Sequence, residues 1–175
     1  MPRRKPIDPE RSADLPVHRI GRILTRLEDR RFYDCRPISW WEQRRAIYHD
    51  PGEYEYLDGE WRSFAVGESW GGEGVTSFLR TRVALPDGWD PSDSVLLLDM
   101  DGGESLLFLN GRRWQGLDWN RRVVSLAGFE ATAEPILLEI EAYIINYPYD
   151  ARRNDQRELH TFRRSDLALI DRRIE

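Results

Sequence analysis

The dipeptide Asn110-Gly111 constrains the fold of this chain more than any other pair of residues. It divides Leu106-Leu107-Phe108-Leu109 from Arg112-Arg113-Trp114-Gln115. A two-residue loop of this kind closes a β-hairpin, because both positions tolerate positive φ. Asp58-Gly59, set between Tyr56-Leu57 and Glu60-Trp61, carries the same signal and predicts a second hairpin. Around these turns the apolar period is two. Residues 38–48 and 53–57 are rich in Ile, Trp and Tyr, and Thr76 to Leu85 runs as far as Pro86. Val95 to Leu98 is a short apolar run, Val123 to Leu126 another, and Ile136 to Ile145 a long one in which Glu139 and Glu141 face water. Short strands broken by turns at roughly ten-residue spacing, with no helical pattern between them, rule out a doubly wound sheet. They predict an all-β antiparallel jelly-roll β-sandwich.

Two helical patterns frame that sandwich. From Asp14, an N-cap, apolar residues recur at Val17, Ile20, Ile23, Leu24 and Leu27 with helical spacing, and Arg30-Arg31 suit the negative end of the dipole. This predicts an amphipathic helix over 14–33, its stripe packed on the flank of the sheet or on a partner. Ser165-Asp166 reads as the cap of a second helix through Leu167, Leu169, Ile170 and Ile174. The expected organisation is a flexible Pro-rich arm at 1–13, the helix at 14–33, the sandwich at 36–150, and at 151–175 a polar loop leading into a linker helix toward another domain.

A length of 175 residues is that of one domain. The formal charge of −5 excludes the concentrated basic field that nucleic acid or an anionic membrane requires. Paired arginines recur, but acidic residues are interspersed, which predicts ion pairs and solvated faces. Cys35 is the single cysteine, so neither an internal disulfide nor a Cys-rich zinc site forms. No apolar run reaches the ~18–20 residues of a membrane span or makes a signal peptide. A cytoplasmic location is expected.

Chemistry is sparse. His18, His49 and His160 lack metal-ligand spacing, His160 falls in the polar loop, and no nucleophile elbow, zinc-protease motif or P-loop occurs. Asp99-x-Asp101-Gly102-Gly103-Glu104 offers carboxylates for calcium or for a glycosidase acid and base, yet it lies between strands where Gly-Gly makes a turn, and a solvated turn is expected. Gly67 to Gly74 reads as a flexible loop carrying Trp70. No catalytic residue and no metal ligand is assigned. Trp70, Trp114 and Trp119, with Asp118 and Asn120, have the chemistry to stack on a sugar and bond its hydroxyls; the same tryptophans serve equally as core.

Several short motifs recur in a familiar order: Val66-Gly67-Glu68-Ser69-Trp70-Gly71, Phe78-Leu79-Arg80, Leu85-Pro86-Asp87-Gly88-Trp89, Asp101-Gly102-Gly103-Glu104 and Gln115-Gly116-Leu117-Asp118. With Tyr33-Asp34-Cys35 before them and Phe162-Arg163-Arg164-Ser165-Asp166-Leu167-Ala168 after, the order resembles the N-terminal domain of the cytosolic and vacuolar α-mannosidases of glycoside hydrolase family 38. Two departures are the Leu79 of Phe78-Leu79 and the extra glycine at Gly103. The resemblance implies a galactose-binding-like jelly roll followed by a helical linker and a catalytic domain of the same polypeptide. That domain would hold zinc and hydrolyse α-mannosides with retention. No residue here matches its catalytic motifs, so the implied role is packing and assembly, within a homo-oligomer. An autonomous carbohydrate-binding module, or the jelly roll of another glycosidase family, is the alternative.

Overall fold

The structure, a computed structural model, describes residues 20, 22, 23, 27, 30–130, 132, 134–144 and 159–174. The arm at 1–13, His18 and most of the expected first helix and polar loop lie outside the described residues. Ile20, Arg22, Ile23, Leu27, Arg30 and Arg31 are helical, and Ile20, Ile23 and Leu27 are exposed. The chain is already extended at Phe32, within the expected helix, because Phe32 pairs with Ile170 across a sheet.

Thirteen strands follow among the described residues: β1 (Phe32–Pro37), β2 (Trp41–Asp50), β3 (Glu53–Tyr56), β4 (Arg62–Phe64), β5 (Ser69–Gly71), β6 (Val75–Val83), β7 (Ser94–Asp99), β8 (Glu104–Leu109), β9 (Arg112–Leu117), β10 (Val123–Ser125), β11 (Ile136–Tyr143), β12 (Leu159–Thr161) and β13 (Arg164–Ile170). The larger sheet runs β3-β2-β6-β11-β8-β9, with β4 also on β2; the smaller runs β1-β13-β7-β10; β5 and β12 form a two-stranded ribbon. Every pairing is antiparallel. This is the all-β sandwich expected from the period-two pattern.

The inner faces meet in one core. Leu79, Leu107, Leu109, Leu138 and Ile140 of the larger sheet face Leu96, Leu98, Val124 and Leu167 of the smaller, and Trp41, Phe64, Trp70 and Phe162 fill the space between. Trp41 and Phe162 meet edge-on at 5.4 Å, and the Trp41 indole N–H donates to Ser165 Oγ at 3.1 Å. Burying each such side chain is worth roughly 1.5–3 kcal/mol. The smaller sheet also buries its other face, through Val95, Leu97, Ala168 and Ile170 with Phe32 and Val123.

Asn110-Gly111 is the predicted hairpin: φ is 50° and 75° at the two residues, and Leu109 pairs with Arg112. Three further expectations fail. The residues from Ser165 onward form strand β13 between β1 and β7, followed by a short 3-10 turn at Arg172–Ile174, and not a linker helix. A strand buried on both faces loses its alternation, so its apolar run passes for a helical stripe. Asp58-Gly59 is no hairpin loop, since β3 and β4 both pair with the same edge of β2. The Asp58 carboxylate instead accepts bonds from the Arg45 backbone N–H and guanidinium at 2.8–3.0 Å. His160 belongs to a strand, β12, opposite Trp70 of β5, and not to a loop.

Candidate functional site

The Asp99–Glu104 carboxylates sit at the β7–β8 connection, where Asp101, Gly102 and Gly103 all adopt positive φ. The turn is packed and not solvated. Asp99 pairs with Arg122 at 2.9 Å and accepts the Asp101 N–H at 2.8 Å. Asp101, its side chain 5% exposed, pairs with Arg163 at 2.5 Å and accepts the Thr161 N–H at 3.4 Å. A glycosidase needs two carboxyl groups opposed across a substrate cleft. Here Asp99 and Asp101 each face an arginine in place of a cleft. Among the described residues no group of three or more His, Cys, Asp or Glu side chains is placed to hold a metal ion.

Trp70 lies against this turn from the inside. Its side chain is 1% exposed, its indole N–H donates to the Met100 carbonyl at 3.0 Å, and its ring lies 5.5 Å from that of His160. The supposed flexible loop is partly strand β5, and Trp70 is sealed from any sugar.

The other four candidate residues share the end of β9. Trp114 is half-buried; its indole N–H is spent on the Ser125 carbonyl at 2.9 Å, and its ring meets Phe129 edge-on at 6.2 Å. Asp118 binds the N–H groups of Asn120 and Arg121 through one oxygen and the Arg121 guanidinium through the other, at 2.6–2.9 Å. The Arg121 guanidinium holds the Asp118 carboxyl below the usual carboxylate range. Four bonds occupy about all the lone pairs a carboxylate has, so Asp118 shapes the loop that presents Trp119 and Asn120, both exposed. Asp118, Trp119 and Asn120 thus share one loop after β9, Trp114 stands within the strand against Ser125 and Phe129, and Trp70 lies in the core.

A groove that the sequence did not reveal opens where the segment before β2 meets the end of β6. It measures about 570 Å³ and is walled by residues 36–40 and 81–87, with Leu167. Trp40 stands on its rim, 57% exposed, beside fully buried Trp41. The doublet was the available signal: neighbouring residues in extended chain point to opposite faces, so one of two adjacent tryptophans must face outward. Arg36 in the same wall lies over the Trp89 ring at 4.9 Å and pairs with Asp34 at 3.1 Å. Arg82 is exposed.

The outward face of the larger sheet is the other polar-aromatic surface. Tyr54 donates to Glu141 at 2.5 Å, and burial together with that carboxylate pushes the Tyr54 phenol up from its ordinary value. Arg44 lies 3.7 Å over Tyr56, and Arg80 lies 4.0 Å over Trp61 while pairing with Glu42 at 2.6 Å. These contacts satisfy one another. No helix among the described residues is long and apolar enough to cross a membrane.

No family model matches the sequence, and no curated protein matches it. Solved structures do. A Bacteroides uniformis β-glucuronidase 2, covalently bound to cyclophellitol-6-carboxylate aziridine, aligns with a TM-score of 0.57 at 15% identity, over 78% of this chain and 18% of that one. A Bacteroides uniformis β-glucuronidase gives 0.56 at 15% identity, over 77% and 17%. A calcium-binding mutant of β-glucuronidase 2 from that organism gives 0.56 at 16%, over 77% and 18%. The chain spans under a fifth of the length of these structures, and at such identity the likeness is one of fold: the sandwich is shared with a part of much longer glycosidase chains.

Proposed function

We propose that this chain is a non-catalytic β-sandwich domain of a glycoside hydrolase, serving to pack and assemble the enzyme beside a catalytic domain of the same polypeptide. The observation that carries the reading is the fold likeness itself: most of this sandwich aligns with a minor portion of glycosidase chains. Asp99 and Asp101 of the β7–β8 turn support it, since each is held by an arginine in place of facing a substrate cleft.

Within that reading the parent is an α-mannosidase of the family 38 type, as the ordered motifs from Val66 to Ala168 imply. Zinc would then be bound by the catalytic domain, as the same resemblance implies. A cytoplasmic homo-oligomer is part of the same proposal, and a secondary glycan contact at Trp114, Asp118, Trp119 and Asn120 is compatible with it. A parent acting on β-glucuronides is the competing reading, favoured by the solved structures of similar fold.

The test compares this chain with the longer product read on from the gene beyond Glu175. Each is assayed on an aryl α-mannoside with added zinc and on an aryl β-glucuronide. The expected result is no turnover by the 175-residue chain and zinc-dependent turnover of the mannoside by the longer one. Turnover of the glucuronide alone would replace the mannosidase parent. Turnover by the short chain, or a gene that encodes no catalytic domain there, would refute the accessory role.

A further inference from the structure

We propose that the groove between residues 36–40 and 81–87 binds an acidic saccharide, with Trp40 as the stacking platform and Arg82 as the partner of the sugar's carboxylate. This goes beyond the packing role above and does not depend on which enzyme the parent is.

The tryptophans supply the first argument. Trp41, Trp61, Trp70, Trp89, Trp114 and Trp119 each have a partner within the domain: a ring, a guanidinium or a hydrogen-bond acceptor. Trp40 has no such partner among the described residues, and the residue is 57% exposed. An indole held at the surface with both its face and its N–H unspent is equipped to meet a ligand with an apolar face and a polar edge. A pyranose is such a ligand, with a C–H face and a rim of hydroxyls.

Register supplies the second. Glu42 pairs with Arg80 across β2 and β6, so carrying the register on by two residues sets Trp40 opposite Arg82. The Thr81 hydroxyl fixes that end by donating to the Trp40 carbonyl at 2.7 Å. Trp40 and Arg82 therefore rise from one side of the same strand pair, at the same groove.

Charge and volume supply the third. Of the two guanidiniums in the groove, Arg36 is engaged by Asp34 and by the Trp89 ring, whereas Arg82 has no ionic or hydrogen-bonding partner among the described residues. A free guanidinium selects a carboxylate, which it binds through two parallel bonds. Asp87, exposed in the other wall, is an acceptor for hydroxyls. The volume of about 570 Å³ suits a small ligand of one to a few rings. A protein partner would instead need a broad surface of about 800 Å² on each side.

The test titrates the 175-residue chain with a galacturonic acid trisaccharide and, separately, with a neutral glucose trisaccharide, following tryptophan fluorescence and heat. The acidic sugar is expected to give a saturable change that Trp40→Ala abolishes and Trp40→Phe partly retains. Arg82→Gln should weaken the acidic sugar by about tenfold or more while leaving the neutral one unchanged. Both side chains are exposed, and an unshifted unfolding midpoint establishes that the variants remain folded. No saturable change with the acidic sugar up to about 10 mM, or one that persists in Trp40→Ala, overturns the site. Equal affinity for the neutral sugar overturns the role of Arg82. Both outcomes are read from binding, so they are distinct from the turnover results that test the accessory role.

Discussion

Gly103→Ala tests the packing of the β7–β8 turn on Trp70. Gly103 sits at φ +67°, and a Cβ built there lies 2.7 Å from Trp70 Cη2 and 2.8 Å from the Tyr143 carbonyl oxygen. Left-handed backbone costs an L-residue about 1–2 kcal/mol. Neither neighbour gives way easily: Trp70 is buried and tied to the Met100 carbonyl, and the Tyr143 oxygen is backbone of β11. Forcing a methyl into such a core costs about 1–3 kcal/mol more. The whole loss is then about 2–5 kcal/mol. Gly128→Ala is the control, since Gly128 has φ +84° with nothing within 4 Å of the new Cβ, and only the backbone cost applies. Urea unfolding of the three proteins, followed by fluorescence and circular dichroism, should place Gly103→Ala about 1–3 kcal/mol below Gly128→Ala with an unchanged slope. A difference within about 0.5 kcal/mol would show that the turn moves freely and that Trp70 does not constrain it.

Asp58→Asn should destabilise by about 1–3 kcal/mol, because Asp58 accepts three charge-assisted or backbone bonds from Arg45. Arg45 holds the Asp58 carboxyl below its ordinary value in the folded state, so its contribution is present above the unfolded carboxylate value of about 3.9 and is lost as pH falls through the lower folded one. Acid unfolding curves of wild type and Asp58→Asn should therefore converge below pH 4, and parallel curves would discount the pair. Asn110→Ala should cost about 2 kcal/mol in thermal or urea unfolding, since Asn110 has φ 50° and its Oδ1 accepts the Leu137 N–H at 2.8 Å; an unchanged midpoint would contradict that. In an ultraviolet titration of the folded protein, one tyrosine should ionise well above the ordinary value of about 10. Glu141→Gln should bring that step down; no change would mean that Glu141 contributes nothing to it.

Legibility followed locality. Asn110-Gly111 was readable because its turn type depends on the φ preferences of two adjacent residues. β11 was readable because one of its faces is outward, so Glu139 and Glu141 alternate with buried Leu138, Ile140 and Ala142. Asp58-Gly59 had the same local chemistry as Asn110-Gly111, yet its strands both found β2 and not each other. That choice is made by the edge of β2 and by Arg45, neither of which the dipeptide encodes. Among the candidate site residues, the sequence identified the right types of side chain but not their sidedness. Trp70 went inside, Asp118 spent its oxygens on its own loop, and Trp40, not singled out, came to stand free above the groove.

The class of fold was already set by the period of two, the turn signals and the weight of aromatic side chains that suit a pleated surface. The sequence also contains no nucleophile elbow, zinc-protease motif or P-loop. The tertiary structure alone decided the state of the last segment. Ser165-Asp166-Leu167-Ala168-Leu169-Ile170 carries an apolar pattern that serves a helix or a doubly buried strand equally, and the strand wins because β1 and β7 lie on either side to pair with it. The same holds for every tryptophan. Whether an indole is core or surface depends on partners far away in sequence, as with Trp41 and Ser165, 124 residues apart, and no local pattern contains that distance.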